Sequence, residues 1–160
     1  MSRGDYLTVA EVIRRELEAL EKVADRVAGA WTDAAASPSG YNVDAAALNL
    51  HGFYAGLERV FLTVAERIDG SVPTGSAWHQ EFLRQMTIPL PDVRPAVVSE
   101  RLAQELDRYR GFRHVVRNVY AYVLDRRRVG ELVDDLPATS SMLRTELNDF
   151  AELLDQIARG

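Results

Sequence analysis

The sequence has no cysteine, almost no lysine and no long apolar run. Its 160 residues include 19 basic side chains, all of them arginine except Lys22. Without thiols the chain cannot form disulfides, thiolate zinc sites or a cysteine nucleophile. No run approaches the roughly 20 apolar residues of a membrane-spanning helix, and the first residues lack the apolar core of a signal peptide. We therefore expect a cytoplasmic protein without a membrane partner.

Several kinds of chemical site are missing as well. The sequence has no Gly-rich phosphate loop, no Glu-x-x-His pairs of the di-iron bundle type and no convincing Ser, His and Asp arrangement for a hydrolase triad. We predict neither a metal site nor a cofactor. His51 and His79 are isolated in sequence. For His79 we predict a structural role, in which it holds a short helix against the rest of the fold.

The charge is unevenly distributed along the chain. Acidic residues outnumber basic ones by 24 to 19, which gives a formal net charge of −5. Between Arg101 and Arg128, however, eight arginines stand against three acidic residues, a local charge of +5. The overall charge argues against a generic nucleic-acid coat protein. The local excess of positive charge indicates one surface that binds anions.

Apolar residues recur at spacings of three and four, which is typical of amphipathic helices. The predicted buried positions of the first helix are Ile13, Leu17, Leu20, Ala24, Val27 and Trp31, and those of the second are Leu50, Phe53, Tyr54, Leu57, Phe61, Val64 and Ile68. The third long helix is expected to bury Tyr109, Phe112, Val116, Val119 and Val123, and the last helix Leu143, Leu147, Phe150, Leu154 and Ile157. No stretch alternates at period two for long enough to predict a strand. We expect one domain over residues 1–160, an all-α antiparallel bundle of four long helices with short helical extras. After Gly130 we expect a loose connection that ends at Pro137. The predicted helices are Asp5–Ala35, Asp44–Ile68, a short one at Ala77–Met86, Arg94–Leu124 and Ser140–Ala158.

The third long helix separates into an apolar face and a basic face. Arginine offers a planar donor fork to phosphate oxygens, and histidine can move a proton to or from a ribose hydroxyl near neutral pH. The same pattern also fits a solvated helix face on which Asp107 pairs with a nearby arginine. Both interpretations stay open on spacing alone. The basic face carries Arg110, Arg113, His114, Arg117 and Tyr120, with Asn118 on its flank.

The segment Arg113–Tyr120, with the sequence Arg-His-Val-Val-Arg-Asn-Val-Tyr, resembles the signature of HEPN proteins, specifically the HepT-like toxins. That signature is Arg-x-x-x-x-His-x-Tyr late in a long helix of an all-α bundle. Three further segments resemble a HepT-like subfamily, so that the resemblance covers roughly Leu48 to Leu154. These segments are Gly70-Ser71-Val72-Pro73, Trp78-His79-Gln80 and Arg94-Pro95-Ala96-Val97-Val98-Ser99.

The resemblance implies a homodimer whose two motif copies line one cleft. It implies a metal-independent ribonuclease, usually a toxin, with RNA as its substrate. It also implies a minimal nucleotidyltransferase as the antitoxin partner, which can adenylylate the motif tyrosine. By position, Arg113 matches the motif arginine and Tyr120 the motif tyrosine.

The chain departs from the signature at Asn118, which stands where the motif has histidine. Asparagine cannot act as a general acid or base near neutral pH, although it donates and accepts hydrogen bonds. We therefore predict Arg113, Asn118 and His114 as catalytic candidates, with His114 able to substitute for the missing imidazole. Arg110 and Arg117 would bind neighbouring phosphates. The alternative is a catalytically silent module that binds RNA or a nucleotidyltransferase.

Overall fold

The computed structural model describes residues 2–36, 40–118 and 124–160, and at 114, 115, 117 and 118 it describes the backbone alone. Within these ranges the only β-structure is an isolated bridge between Leu90 and Arg94. The predicted all-α class is therefore confirmed. The helices are α1 (Arg3–Ala36), α2 (Tyr41–Val64, continued by a π-helical turn at Ala65–Asp69), α3 (Trp78–Thr87), α4 (Glu100–Asn118) and α5 (Arg126–Arg159).

The two longest helices, α1 and α5, lie antiparallel along their whole length. Arg3, at the start of α1, donates a hydrogen bond to the carbonyl of Ala158 at the end of α5. At the opposite end Arg126 donates to the carbonyl of Ala34 at 3.2 Å. These contacts join both pairs of helix ends, as expected for neighbouring helices of an antiparallel bundle.

Helix α2 runs back along α1 and packs closely against it. Arg67, near the end of the π-helical turn, lies 3.6 Å from Asp5 at the start of α1. Gly56 faces the middle of α1, where a Cβ added to the glycine would come within 2.8 Å of the Leu20 side chain. The missing side chain at this position therefore allows the two helices to approach.

The predicted core stripes are largely confirmed. On α1 Leu17, Ala24 and Trp31 are partly buried against the core, and the other predicted positions are fully buried. On α5 the prediction is wrong at Ile157, which is exposed, whereas its neighbour Ala158 is buried. All seven predicted α2 positions are buried: Leu50, Phe53, Tyr54, Leu57, Phe61, Val64 and Ile68.

The predicted start of the third long helix at Arg94 is wrong, because α4 begins at Glu100. Arg94 instead pairs with Leu90 through backbone hydrogen bonds of 2.8 and 3.0 Å around a tight turn. Asp92 in this turn has a positive φ of 61°, which is incompatible with an α-helix. The predicted helical residues 119–123 lie outside the described part of the chain.

The predicted loose connection before Ser140 is also wrong, because α5 begins at Arg126 and contains Pro137. Proline removes one backbone donor from a helix. Burial of an apolar stripe on this part of α5 offsets that loss. Asp125 stabilises the helix start by accepting a hydrogen bond from the backbone N–H of Arg127 at 3.0 Å. The stripe consists of Val129, Leu132, Val133 and Leu136.

A buried ion pair holds α3 and the turn before α4 against the end of α2. The side chains of Arg94 and Asp69 are 0% and 1% exposed, and Arg94 Nε lies 2.5 Å from Asp69 Oδ1. Arg94 also donates to the carbonyls of Ile88 and Pro95, both at 3.0 Å. Gln85 of α3 donates to Asp69 at 2.7 Å. A buried pair stabilises a fold only when its other polar atoms are satisfied in this way.

We predict that Asp69→Asn lowers the free energy of unfolding by roughly 3–5 kcal/mol, because it leaves the buried Arg94 without a counter-charge. Urea unfolding of the purified protein measures the change. Glu11→Gln is the matched control, since Glu11 pairs with Arg15 on the exposed surface of α1, where such a pair contributes less than about 1 kcal/mol. Equal losses of stability in the two variants would contradict the stabilising role of the Arg94–Asp69 pair.

Candidate functional site

Arg113 of the predicted motif lies where α2, α3 and α4 meet. Its guanidinium forms an ion pair with Glu58 of α2, and its Nη1 lies 3.3 Å from Nδ1 of His79 on α3. The side chain of Arg113 is 19% exposed. The motif arginine is therefore sheltered between helices, where its charge is screened less than on an open surface.

The packing of α4 fixes the direction in which Arg113 points. Phe112 is buried in the core, and so is Tyr109 one turn earlier. The hydroxyl of Tyr109 donates to the carbonyl of Leu132 on α5 at 2.8 Å, and burial raises the pKa of Tyr109 to about 12. These anchors hold α4 in one rotation about its axis, with Arg113 on the side that faces α2 and α3.

Glu58 is the buried acid of the site, with a side chain that is 8% exposed. It lies among the apolar residues of α2 directly after Leu57. A carboxylate in such a position requires charged or hydrogen-bonding partners to offset its loss of water. Arg113 and His79 supply these partners from two other helices.

His79 lies beside Glu58, with 2.5 Å between its Nδ1 and the Glu58 Oε2. On α3, the neighbouring Trp78 packs edge-on against Phe82 at 5.6 Å between ring centroids, and Phe82 is buried. The predicted role of His79 in holding the short helix against the bundle is confirmed by its contact with α2. The same contact also brings an imidazole next to Arg113.

Tyr54 adds a buried hydroxyl to this region. Within the described part of the chain the Tyr54 hydroxyl has no hydrogen-bond partner. Burial raises the pKa of Tyr54, and the charges of Arg110 and Arg113 act in the opposite direction. Tyr54 is 0% exposed, so its hydroxyl is enclosed in the core beneath the site.

Arg110 lies one turn before Arg113 and pairs with Asp107 at 2.6 Å. The pairing that helical spacing suggested is thus present. Asp107 also lines an open groove between α3 and α4, together with Gln80, Leu83 and other residues. Gln80 follows His79 directly in sequence, but His79, Glu58 and Arg113 do not line this groove.

The remaining predicted site residues fall where their side chains are not described. His114, Arg117 and Asn118 belong to the helical backbone of α4, but their side chains lie outside the described part of the chain. Tyr120 lies outside it altogether. Their predicted roles stay predictions.

Sequence reasoning did not select Glu58, and it gave His79 a structural role alone. A signal for Glu58 was present, since it is an acidic residue within the apolar stripe of α2, at helical spacing from Tyr54 and Phe61. Nothing local connects His79 with Arg113, because 34 positions separate them in sequence. Their proximity depends on the packing of α3.

Metal ligands and membrane-spanning segments are not found among the described residues. These residues contain no group of three or more His, Cys, Asp or Glu side chains placed to hold a metal ion. None of the described helices is long and apolar enough to cross a membrane.

The fold and the site define an all-α bundle in which an arginine of the third long helix meets an acid and an imidazole from two other helices. A family model described as HepT-like protein matches residues 45–154. The chain therefore belongs to the HepT-like family of the HEPN superfamily. Comparisons with curated proteins and with solved structures give no match.

We predict strong energetic coupling between Arg113 and Glu58. Glu58→Leu and Arg113→Met should each lower the free energy of unfolding by roughly 3–5 kcal/mol, because each removes one half of a sheltered ion pair. The double variant should be more stable than the sum of the single effects implies, with a coupling of about 1–3 kcal/mol.

Urea unfolding of the four proteins in this double-mutant cycle measures the coupling. The control is the same cycle on Arg127 and Glu131, an exposed pair at 3.2 Å on α5, for which we expect a coupling of about 0.5 kcal/mol or less. Additive effects at Arg113 and Glu58 would show that the contact contributes nothing specific.

Proposed function

We propose that this HepT-like protein is the toxin of a toxin–antitoxin pair and that it cleaves RNA as a homodimer without a metal ion. The observation that carries the proposal is the position of Arg113. The motif arginine is sheltered, held in one direction and placed beside an imidazole. Those are the features that phosphodiester cleavage by protein side chains requires.

In this proposal Arg113 binds the scissile phosphate and stabilises the negative charge that develops on its oxygens. A guanidinium has five N–H donors, so Arg113 can keep Glu58 as a partner and still donate to a phosphate oxygen. Arg110 and Arg117 bind neighbouring phosphates, and Asn118 orients the substrate. The sequence assigns the proton transfer to His114.

The partner in this proposal is a minimal nucleotidyltransferase that acts as the antitoxin. Its target is Tyr120, which occupies the motif position for adenylylation. The dimer brings two copies of the motif to one cleft, so that the phosphate backbone of the RNA meets arginines from both copies.

A second candidate function is a catalytically silent module that binds RNA or the nucleotidyltransferase. Two observations favour it. Asn118 cannot exchange a proton near neutral pH, and Glu58 already neutralises the charge of Arg113. In this case we expect Asn118→His to create cleavage that the natural protein lacks.

We predict that the purified protein cleaves transfer RNA or messenger RNA in the presence of EDTA. Arg113→Ala should lower the rate by about 10²–10³-fold, the usual effect of removing one group that stabilises transition-state charge. Gel electrophoresis of end-labelled RNA measures the rate. Arg15→Ala is the control variant, because Arg15 is exposed on α1.

The absence of cleavage by the natural protein would contradict the enzymatic proposal, and so would cleavage that is unaffected by Arg113→Ala. RNA binding without cleavage, combined with cleavage gained in Asn118→His, would support the silent module instead.

A further inference from the structure

We propose that His79 of α3 is the catalytic imidazole of this site and accepts the proton of a ribose 2′-hydroxyl. The inference rests on the proposed ribonuclease function and names the group that performs its proton transfer. It replaces His114 in that role with a residue from a different helix, outside the Arg113–Tyr120 motif.

The contact with Glu58 fixes the chemistry of the His79 ring. The 2.5 Å between Nδ1 and Oε2 requires a proton between the two atoms. With Glu58 ionised, Nδ1 carries that proton and donates it to the carboxylate. In this proposal Nε2 is the ring nitrogen that exchanges a proton with the substrate. A carboxylate at one ring nitrogen both orients an imidazole and stabilises its protonated form.

In this tautomer the contact between Arg113 and His79 is not a hydrogen bond. Arg113 Nη1 lies 3.3 Å from Nδ1, but a guanidinium can only donate, and a protonated Nδ1 cannot accept. The contact is therefore an approach of two groups that share Glu58, whose two oxygens face Arg113 and His79 separately. The shared acid keeps the guanidinium and the imidazole next to each other.

His79 is more exposed than its partner Glu58, and a catalytic imidazole must be accessible to its substrate. The side chain of His79 is 24% exposed, whereas that of Glu58 is 8% exposed. The acid is thus enclosed while the imidazole reaches the surface. Gln80, the residue after His79, lines an open groove between α3 and α4 together with Asp107.

The charged groups around His79 come from both packed helices. Glu58 of α2 favours the protonated imidazole, and Arg113 of α4 opposes it. One turn earlier on α4, Arg110 is paired with Asp107. Tyr54 of α2 is uncharged near neutral pH, since burial raises its pKa. Among the described side chains, the carboxylate of Glu58 and the guanidinium of Arg113 thus act on the His79 ring in opposite directions.

The proposed reaction forms one bond to phosphorus and breaks another. Nε2 of His79 takes the proton from the 2′-hydroxyl, and the 2′-oxygen forms a bond to the adjacent phosphorus. The bond between phosphorus and the 5′-oxygen breaks, and the leaving oxygen takes a proton from water. The resulting hydroxide and the proton on His79 combine to regenerate water and the neutral ring. The products are a 2′,3′-cyclic phosphate and a 5′-hydroxyl.

The test compares histidine variants for cleavage of end-labelled transfer RNA in EDTA. His79→Gln should lower the rate by about 10²–10⁴-fold, since glutamine can still donate to Glu58 but cannot accept the proton. His51→Gln, on α2, is the matched control and should leave the rate unchanged. Circular dichroism verifies that the variants fold.

Three readouts separate proton transfer from a structural role. The cleavage rate of the natural protein should rise with pH through the range in which an imidazole loses its proton, which is about 6.5 for an unperturbed ring. In His79→Gln this rise of the cleavage rate with pH should disappear. Added free imidazole should restore part of the cleavage rate of His79→Ala. In Glu58→Gln the rise of the cleavage rate should occur at lower pH, because the carboxylate that favours the protonated ring is gone.

Chemical modification of the natural protein supplies a measurement that does not depend on any variant. With diethyl pyrocarbonate, loss of cleavage should follow modification of His79 as mapped by mass spectrometry, and RNA should protect this residue. A loss of cleavage that follows modification of His51 or His114 instead of His79 overturns the proposal.

The outcomes also separate this proposal from the function on which it rests. Arg113-dependent cleavage that His79→Gln leaves intact overturns the role of His79 while the ribonuclease function stands. A natural protein that cleaves no RNA overturns both.

Discussion

The buried pair between Arg94 and Asp69 is the constraint on which the candidate site depends. Its desolvation cost is offset by a complete set of hydrogen bonds, so it stabilises only one arrangement of the segments that supply them. Those segments are the end of α2, the end of α3 and the turn before α4. Helix α3 is 10 residues long, too short to be stable alone. The pair thereby sets the position of the helix that carries His79.

Three helices contribute one charged or titratable group each to the site, and no two of these groups are close in sequence. Glu58 is the group that joins them, because a buried carboxylate requires partners and finds them in Arg113 and His79. The positive surface suggested by composition is also altered by pairing, since Arg110 is joined to Asp107. What distinguishes Arg113 is its enclosure with an acid and an imidazole, and not a local excess of positive charge.

The sequence predicts the parts of this fold that depend on local periodicity. The apolar stripe of α2 from Leu50 to Ile68 is buried at every predicted position. Prediction fails where tertiary contacts override local signals. Pro137 marks a helix boundary by its own chemistry, yet it lies inside α5 because burial of the preceding apolar residues outweighs one lost hydrogen bond. The same distinction holds for the site. The sequence motif predicts Arg113 as a site residue, whereas its contact with His79 arises from the packing of α3 and cannot be predicted locally.

The surroundings of Arg113 change what the asparagine at the motif histidine position, Asn118, implies for catalysis. General-base cleavage needs a group near the scissile phosphate that can accept a proton, but that group need not come from the same helix as the arginine. With a neutral ring, the charges of Arg113 and Glu58 cancel, and a phosphate that enters brings negative charge. That charge raises the affinity of a neighbouring imidazole for a proton, which is the direction that removal of a 2′-hydroxyl proton demands. On the proposed mechanism, substrate binding itself prepares His79 as the base.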